Sequence, residues 1–171
     1  MTESLSDYFR DSAENMRRAA EAGLDDRLEE AITHIVAALK DRRPVLVCGN
    51  GGSAADALHI AGELVARFLL DRKGLKVMAL GTNLSTATAW ANDVDYNSVF
   101  AREVESFGEP GGVLLGLSTS GNSPNVIAAF EQGRGMGMTT VALTGKGGGK
   151  LAPLTDVLLD VPDVRTPRIQ E

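Results

Sequence analysis

The sequence predicts a doubly wound α/β fold: a parallel five-stranded sheet with helices on both faces and two more helices ahead of it. Three observations carry that expectation. From Pro44 onward, short apolar runs alternate with helical stretches. The runs read as strands buried on both faces, the pattern of a parallel sheet covered by helices. Three of the turns that follow these runs are unusually rich in Gly and Ser, at the carboxyl ends of strands where such sheets bind ligands.

Taken in order, residues 5–22 and 25–39 carry helical periodicity, the second with Leu28, Ile32, Ile35, Val36 and Leu39 at three- or four-residue steps. His34 lies off that stripe and reads as an exposed helical histidine with no role. Strands are predicted at 45–48, 76–80, 112–117, 139–143 and 157–159. Helices are predicted at 53–68, 84–91, 123–135 and 150–154, with a less regular piece over 96–107. No linker or repeat interrupts the pattern. At 171 residues the chain is expected to be a single domain, with N-terminal helices over 1–42 and an α/β core over 43–171.

Composition narrows the function classes. Hydrophobic residues at 43% and charged residues at 23% are ordinary for a globular chain and argue against extensive disorder. A net charge of −6 disfavours a broad nucleic-acid face, which needs clustered Lys and Arg. Any bound phosphate is therefore expected to be small and held by local donors. The single cysteine, Cys48, has no internal disulfide partner, and its apolar context suits a buried reduced thiol, which fits a cytoplasmic address. The first thirty residues lack an apolar signal core, and no stretch approaches the roughly 20 apolar residues of a membrane span.

The first glycine-rich turn is Gly49-Asn50-Gly51-Gly52-Ser53, after a strand and opening a helix whose free amides can receive an anion. Gly49 to Ala54 also fits the dinucleotide fingerprint, but that reading needs an acidic residue at the end of the next strand, and Met78-Ala79-Leu80-Gly81-Thr82 supplies none. The second turn, Ser118-Thr119-Ser120-Gly121-Asn122-Ser123, offers four hydroxyls and helix-terminal amides, a neutral phosphate cradle. Its plainer reading is a Ser-rich turn with an N-cap at Ser123; so many hydroxyls in six residues favour phosphate. The third turn, Gly145-Lys146-Gly147-Gly148-Gly149-Lys150, is one residue short of a nucleotide loop and has Leu151 where Ser or Thr is needed, so it reads as a tight connection.

His59 and Glu63 are four residues apart on the helix opened by the first turn, so they share a face. The spacing suits two metal ligands, or a ligand beside a general base. Asp56 and Arg67 fall on the same side, and taken alone the pattern is more often a solvated stripe. Its position just after a glycine-rich turn strengthens it, because the pair then faces the same crevice.

Four motifs in order, Gly49–Glu63, Gly116–Ser123, Leu143–Gly149 and Arg168–Glu171, make the sequence resemble the sedoheptulose 7-phosphate (phosphoheptose) isomerase family of SIS domains over nearly its whole length. The resemblance implies a flavodoxin-like three-layer sandwich and a homotetramer with sites between subunits. It implies an enediol aldose–ketose isomerisation that forms D-glycero-D-manno-heptose 7-phosphate for heptose and lipopolysaccharide precursor synthesis. It places Ser118, Thr119, Ser120 and Ser123 around the substrate phosphate. Asn50, Gly51 and Gly52 would contact substrate, as would Asn92 and Asp93 in the turn after the 84–91 helix. One zinc per subunit would be held by His59, Glu63 and Gln170, with Glu63 also the base and Gln170 also touching substrate. A further histidine ligand, doubling as the acid, is expected eight residues beyond Gln170, and a long final helix is expected to start at Arg168, whereas the sequence stops at Glu171. Pro167 stands where some members carry an acid.

Two rivals share the fold. A non-catalytic SIS protein resembling the initiator-binding factor of bacterial replication would need none of His59, Glu63 and Gln170, so their joint presence favours the enzyme. A sugar-phosphate sensing regulator would carry a DNA-binding segment, which the acidic N-terminal helices do not supply.

Overall fold

The computed structural model describes residues 4–171. Two helices lead, α1 (Leu5–Ala20) and α2 (Asp25–Lys40). The α/β part follows as β1 (Val45–Gly49), α3 (Gly52–Val65), β2 (Val77–Ala79), α4 (Leu84–Asp93), α5 (Val99–Phe107), β3 (Val113–Ser118), α6 (Pro124–Gly135), β4 (Thr139–Gly145), β5 (Val157–Val161) and α7 (Thr166–Gln170). The sheet order is β2-β1-β3-β4-β5 and every pairing is parallel. The order reverses between β1 and β3, which pair from Val45–Val113 to Gly49–Leu117. The turns after these two strands therefore open side by side at the switch point, where doubly wound sheets hold their ligands.

Alternation along the strands splits the core into two layers. Val45 and Val47 face the layer that takes Ala31 and Ala38 of α2 and Ala57 and Ala61 of α3. Leu46 and Cys48 face the other, with Phe100 and Val104 of α5 and Val126, Ala129 and Phe130 of α6. This is the three-layer sandwich the sequence implied.

Several elements differ from expectation, each for a local reason. The 96–107 piece is regular: Asp95 caps a 3-10 turn, Tyr96–Ser98, that runs straight into α5. Its stripe was hidden because Glu103 occupies a core position between Phe100 and Val104. The 150–154 helix is instead a 3-10 segment, Gly149–Leu154, with Pro153 inside it lacking the N–H an α-turn needs. Helix α3 stops at Val65 rather than 68, because the Arg72 guanidinium donates to the carbonyls of Glu63 (2.9 Å) and Leu64 (2.8 Å). Arg67 therefore lies beyond the helix. In α2 the predicted stripe divides: Ile35 and Leu39 pack on the core, while Leu28, Ile32 and Val36 stay exposed. His34 is half-buried rather than exposed.

Helix α1 docks through polar groups. Its only buried residue is Asn15, which donates to the Arg168 carbonyl at 2.7 Å. The buried Arg168 side chain donates to Asp11 (2.7 Å), Glu171 (2.7 Å) and the Tyr8 carbonyl (3.1 Å), and its guanidinium stacks 3.9 Å from the Tyr8 ring centroid. Leu5, Phe9 and Met16 point outward.

Candidate functional site

In the turn from β1 to α3, Ser53 N–H donates to Asn50 O, and the Ala54 and Ala55 amides donate to Gly51 O. The Gly51 and Gly52 amides have no protein acceptor among the described residues. A start of a helix with spare N–H groups is an anion seat. The serine turn after β3 lies beside it. Its Gly121 has φ +63°, and a Cβ there would collide with the Gly148 carbonyl, so the second and third turns touch backbone to backbone. Asn122 secures the contact by accepting from Lys150 N–H at 3.0 Å. The third turn is thus a tight connection, and it buttresses the serine turn.

The four hydroxyls are not equivalent. Ser118 is buried, Thr119 and Ser123 are half-buried and Ser120 is exposed. Ser118 Oγ and Ser123 Oγ lie 3.0 Å apart, and Ser123 makes no side-chain bond to its helix. Ser123 does occupy the N-cap position of α6, but its hydroxyl is turned towards Ser118 instead of capping the helix. Ser120 Oγ accepts from Asn122 N–H at 3.1 Å.

Ser118, Thr119, Ser53, Asp56, Ile60 and Gln170 line one cleft of about 330 Å³. Gln170, on α7, reaches the first turn: a Cβ on Gly52 would overlap its side-chain amide. Gly52 is a glycine for that close approach. Asn50, Gly51 and Tyr96 border a second cleft of about 320 Å³ across the turn, towards α4 and α5. Asn92 and Asp93 are in the last turn of α4 rather than after it, both exposed, with Asn92 Nδ2 donating to Asp93 Oδ1 at 2.8 Å.

His59 Nε2 and Glu63 Oε1 are 3.4 Å apart on the outer side of α3, with side chains 76% and 38% exposed. They border neither cleft, so the shared crevice expected for them is not formed by the residues around the serine turn. Two donors on a tetrahedral zinc, with bonds of about 2.0–2.1 Å, are separated by roughly 3.3 Å. The pair matches that edge. Among the described residues no third His, Cys, Asp or Glu joins them, and Gln170 sits against Gly52 in the first cleft, which the pair does not border.

Sequence reading missed Asn125, which is 3% exposed and bonds Asn50 across the two turns. The available signal was a polar residue at the head of the apolar stripe Val126, Ala129, Phe130. It also missed Glu103. Its carboxylate accepts from Gly81 N–H at 2.5 Å, so an acid does reach the end of β2, supplied by α5. Being buried and engaged on backbone, it is not placed to grip a ribose, and the dinucleotide reading gains nothing.

The fold is a doubly wound sheet whose switch-point turns are a glycine loop and a serine loop, and residues 7–145 match the SIS domain family. The chain is 48% identical to the phosphoheptose isomerase of Desulfovibrio desulfuricans over 167 residues, covering 98% of this chain and 79% of that one. It superposes on the phosphoheptose isomerase structure from Neisseria gonorrhoeae with a TM-score of 0.91 at 40% identity, covering 97% and 88% of the two chains. For the Francisella tularensis enzyme the TM-score is 0.94 at 32% identity, with coverage of 99% and 91%. The chain belongs to the phosphoheptose isomerase family of SIS domains. The non-catalytic alternative is not favoured.

Proposed function

We propose that this chain interconverts sedoheptulose 7-phosphate and D-glycero-D-manno-heptose 7-phosphate, supplying heptose for lipopolysaccharide precursors. The observation that carries the reading is the meeting of the hydroxyl-rich turn of β3, the glycine turn of β1 and Gln170 at one switch point. Ser118, Thr119, Ser120 and Ser123, with spare amides, hold the phosphate without a cation, which suits a protein of net charge −6. Asn50, Gly51, Gly52, Asn92, Asp93 and Gln170 orient the sugar.

In the forward direction the C1–H bond breaks, its electron pair forms the C1=C2 bond, and the C2=O π pair moves to O2, which takes a proton to give the enediol. The O1 hydroxyl then loses its proton as C1=O forms, and the C1=C2 pair takes a proton at C2, leaving an aldehyde at C1. Glu63 takes the C1 proton. We assign one zinc per subunit to His59, Glu63 and Gln170; the 3.4 Å separation of His59 and Glu63 supports the first two, and when bound the zinc would supply a Lewis acid for the oxygens of C1 and C2. A metal-bound carboxylate is a weaker base, so with zinc bound Glu63 would have to serve as ligand and as base in turn. We also propose a homotetramer with sites between subunits. The outward apolar residues of α1 and α2, and the exposure of His59, Asn92 and Asp93 in the single chain, support it. A cytoplasmic setting goes with the free, buried Cys48; no described helix is long and apolar enough to cross a membrane.

The test is conversion of sedoheptulose 7-phosphate by the parent and by Glu63→Gln. The variant keeps the size but removes both the basicity and the anionic ligand, so turnover should fall on the order of 10²- to 10⁴-fold with the fold intact, and zinc content per chain tells loss of the base from loss of the ligand. Activity within a few-fold of the parent would remove Glu63 from the mechanism.

A further inference from the structure

The glycine turn and the serine-turn helix are joined by two side chains. Asn50 Nδ2 donates to Asn125 Oδ1 at 2.8 Å, and Asn125 Nδ2 donates back to Asn50 Oδ1 at 2.8 Å. A reciprocal amide pair alone would survive flipping both groups. One further bond forbids the flip, and a second fits the orientation it selects. Val126 N–H donates to Asn125 Oδ1 at 3.0 Å, and the Tyr96 hydroxyl donates to Asn50 Oδ1 at 3.0 Å. A backbone amide can only donate, so Asn125 must turn oxygen towards Val126. The pairing then dictates the orientation of Asn50.

The consequence follows from counting. The Asn50 oxygen accepts from Asn125 and Tyr96, which fills both lone pairs, and one of its N–H groups is spent on Asn125. One N–H remains. We infer that Asn125 is a positioning residue that fixes the polarity of Asn50, so that Asn50 meets the substrate as a hydrogen-bond donor to an oxygen that gains negative charge during the reaction. Asn125 is 3% exposed and rides on the first turn of α6, two residues after Ser123, so the same contact ties the sugar side of the site to its phosphate side. The inference rests on the reading that Asn50 touches substrate.

The test uses the full chain with Asn125→Asp, Asn125→Ala, Asn50→Ala and the double variant Asn50→Ala/Asn125→Ala. Asn125→Asp keeps the size and the acceptor for Val126 but, ionised, cannot donate to Asn50. Its kcat on sedoheptulose 7-phosphate should fall about tenfold or more, the scale of a lost hydrogen bond with two oxygens left facing each other, while KM changes little. If Asn125 acts through Asn50, its substitution adds nothing once Asn50 is alanine. Parent-like kcat in both Asn125 variants, or an undiminished further loss in the double variant, overturns the inference. Hydrogen exchange over residues 49–53 is the second readout and does not depend on activity. Faster exchange in Asn125→Asp upholds the tie and unchanged exchange overturns it. An inactive parent would instead sink the isomerase reading, with the exchange result still deciding this one. Should the Asn125 variants fail to fold, Tyr96→Phe, at an exposed position, removes the other hold on the same oxygen. It should lower kcat about threefold, and no change in kcat or exchange there counts against the proposal.

Discussion

Glu103 is a carboxyl group that the fold keeps from water, 4% exposed between Phe100 and Val104. Burial pushes its pKa up, only partly offset by the Gly81 N–H that donates to it. A raised carboxyl pKa costs stability once the pH exceeds the unfolded value, and the cost is complete above the folded value. Glu103→Gln keeps an oxygen for Gly81 and removes the charge. It should raise Tm at pH 7.5, with the gap to the parent closing as pH falls towards 4. A lower Tm at pH 7.5 would show that the ionised form is better solvated than its surroundings suggest. The same residue shows why this part of the chain was hard to read: an acid inside an apolar stripe breaks the periodicity that marks a helix.

At the scale of elements, turns and helix ends do most of the positioning. Arg72 ends α3 by taking the carbonyls of Glu63 and Leu64, which ties the backbone of the proposed base to the segment leading into β2. Arg168 binds α7 to α1, and the Asp11 beside it is held below the usual carboxylate range, first by Arg165 and then by Arg168 itself. The serine turn depends on the third turn through Gly121. Gly121→Ala meets a backbone carbonyl at positive φ, so neither partner can yield cheaply. It should destabilise by about 1–3 kcal/mol in denaturant unfolding and weaken phosphosugar binding by calorimetry. Parent-like values for both would mean the two turns separate freely.

Over the whole molecule, the sheet was legible because burial on both faces leaves a simple record: Val45-Leu46-Val47-Cys48 and Val113-Leu114-Leu115 are apolar at every step. The glycine and serine turns were legible for a related reason, since few residue types suit a close backbone approach or a neutral anion seat. What was not legible depends on distant partners. Nothing in the sequence pairs Asn50 with Asn125, and the four-residue spacing of His59 and Glu63 fixes a helix face without saying what covers it. The α2 stripe makes the same point, because periodicity marks Ile32 and Ile35 alike, yet only Ile35 meets this chain's core. If the outward half of that stripe is a subunit contact, Ile32→Glu should reduce the particle mass in light scattering while leaving secondary structure unchanged. A tetramer of unaltered mass would take this stripe out of the interface.

The chain's one thiol sits at the end of β1, fully buried, with its pKa pushed up to about 12 by burial and then by the charge of Glu103. A thiol-reactive dye can modify it only after the α5 and α6 layer has lifted from the sheet, so every labelling event counts an opening of that layer. Cys48 is therefore a built-in clock for that opening. Because it stands two residues before Asn50, a sugar phosphate that holds the glycine turn closed would slow that clock, which gives ligand binding a readout needing no enzymatic assay.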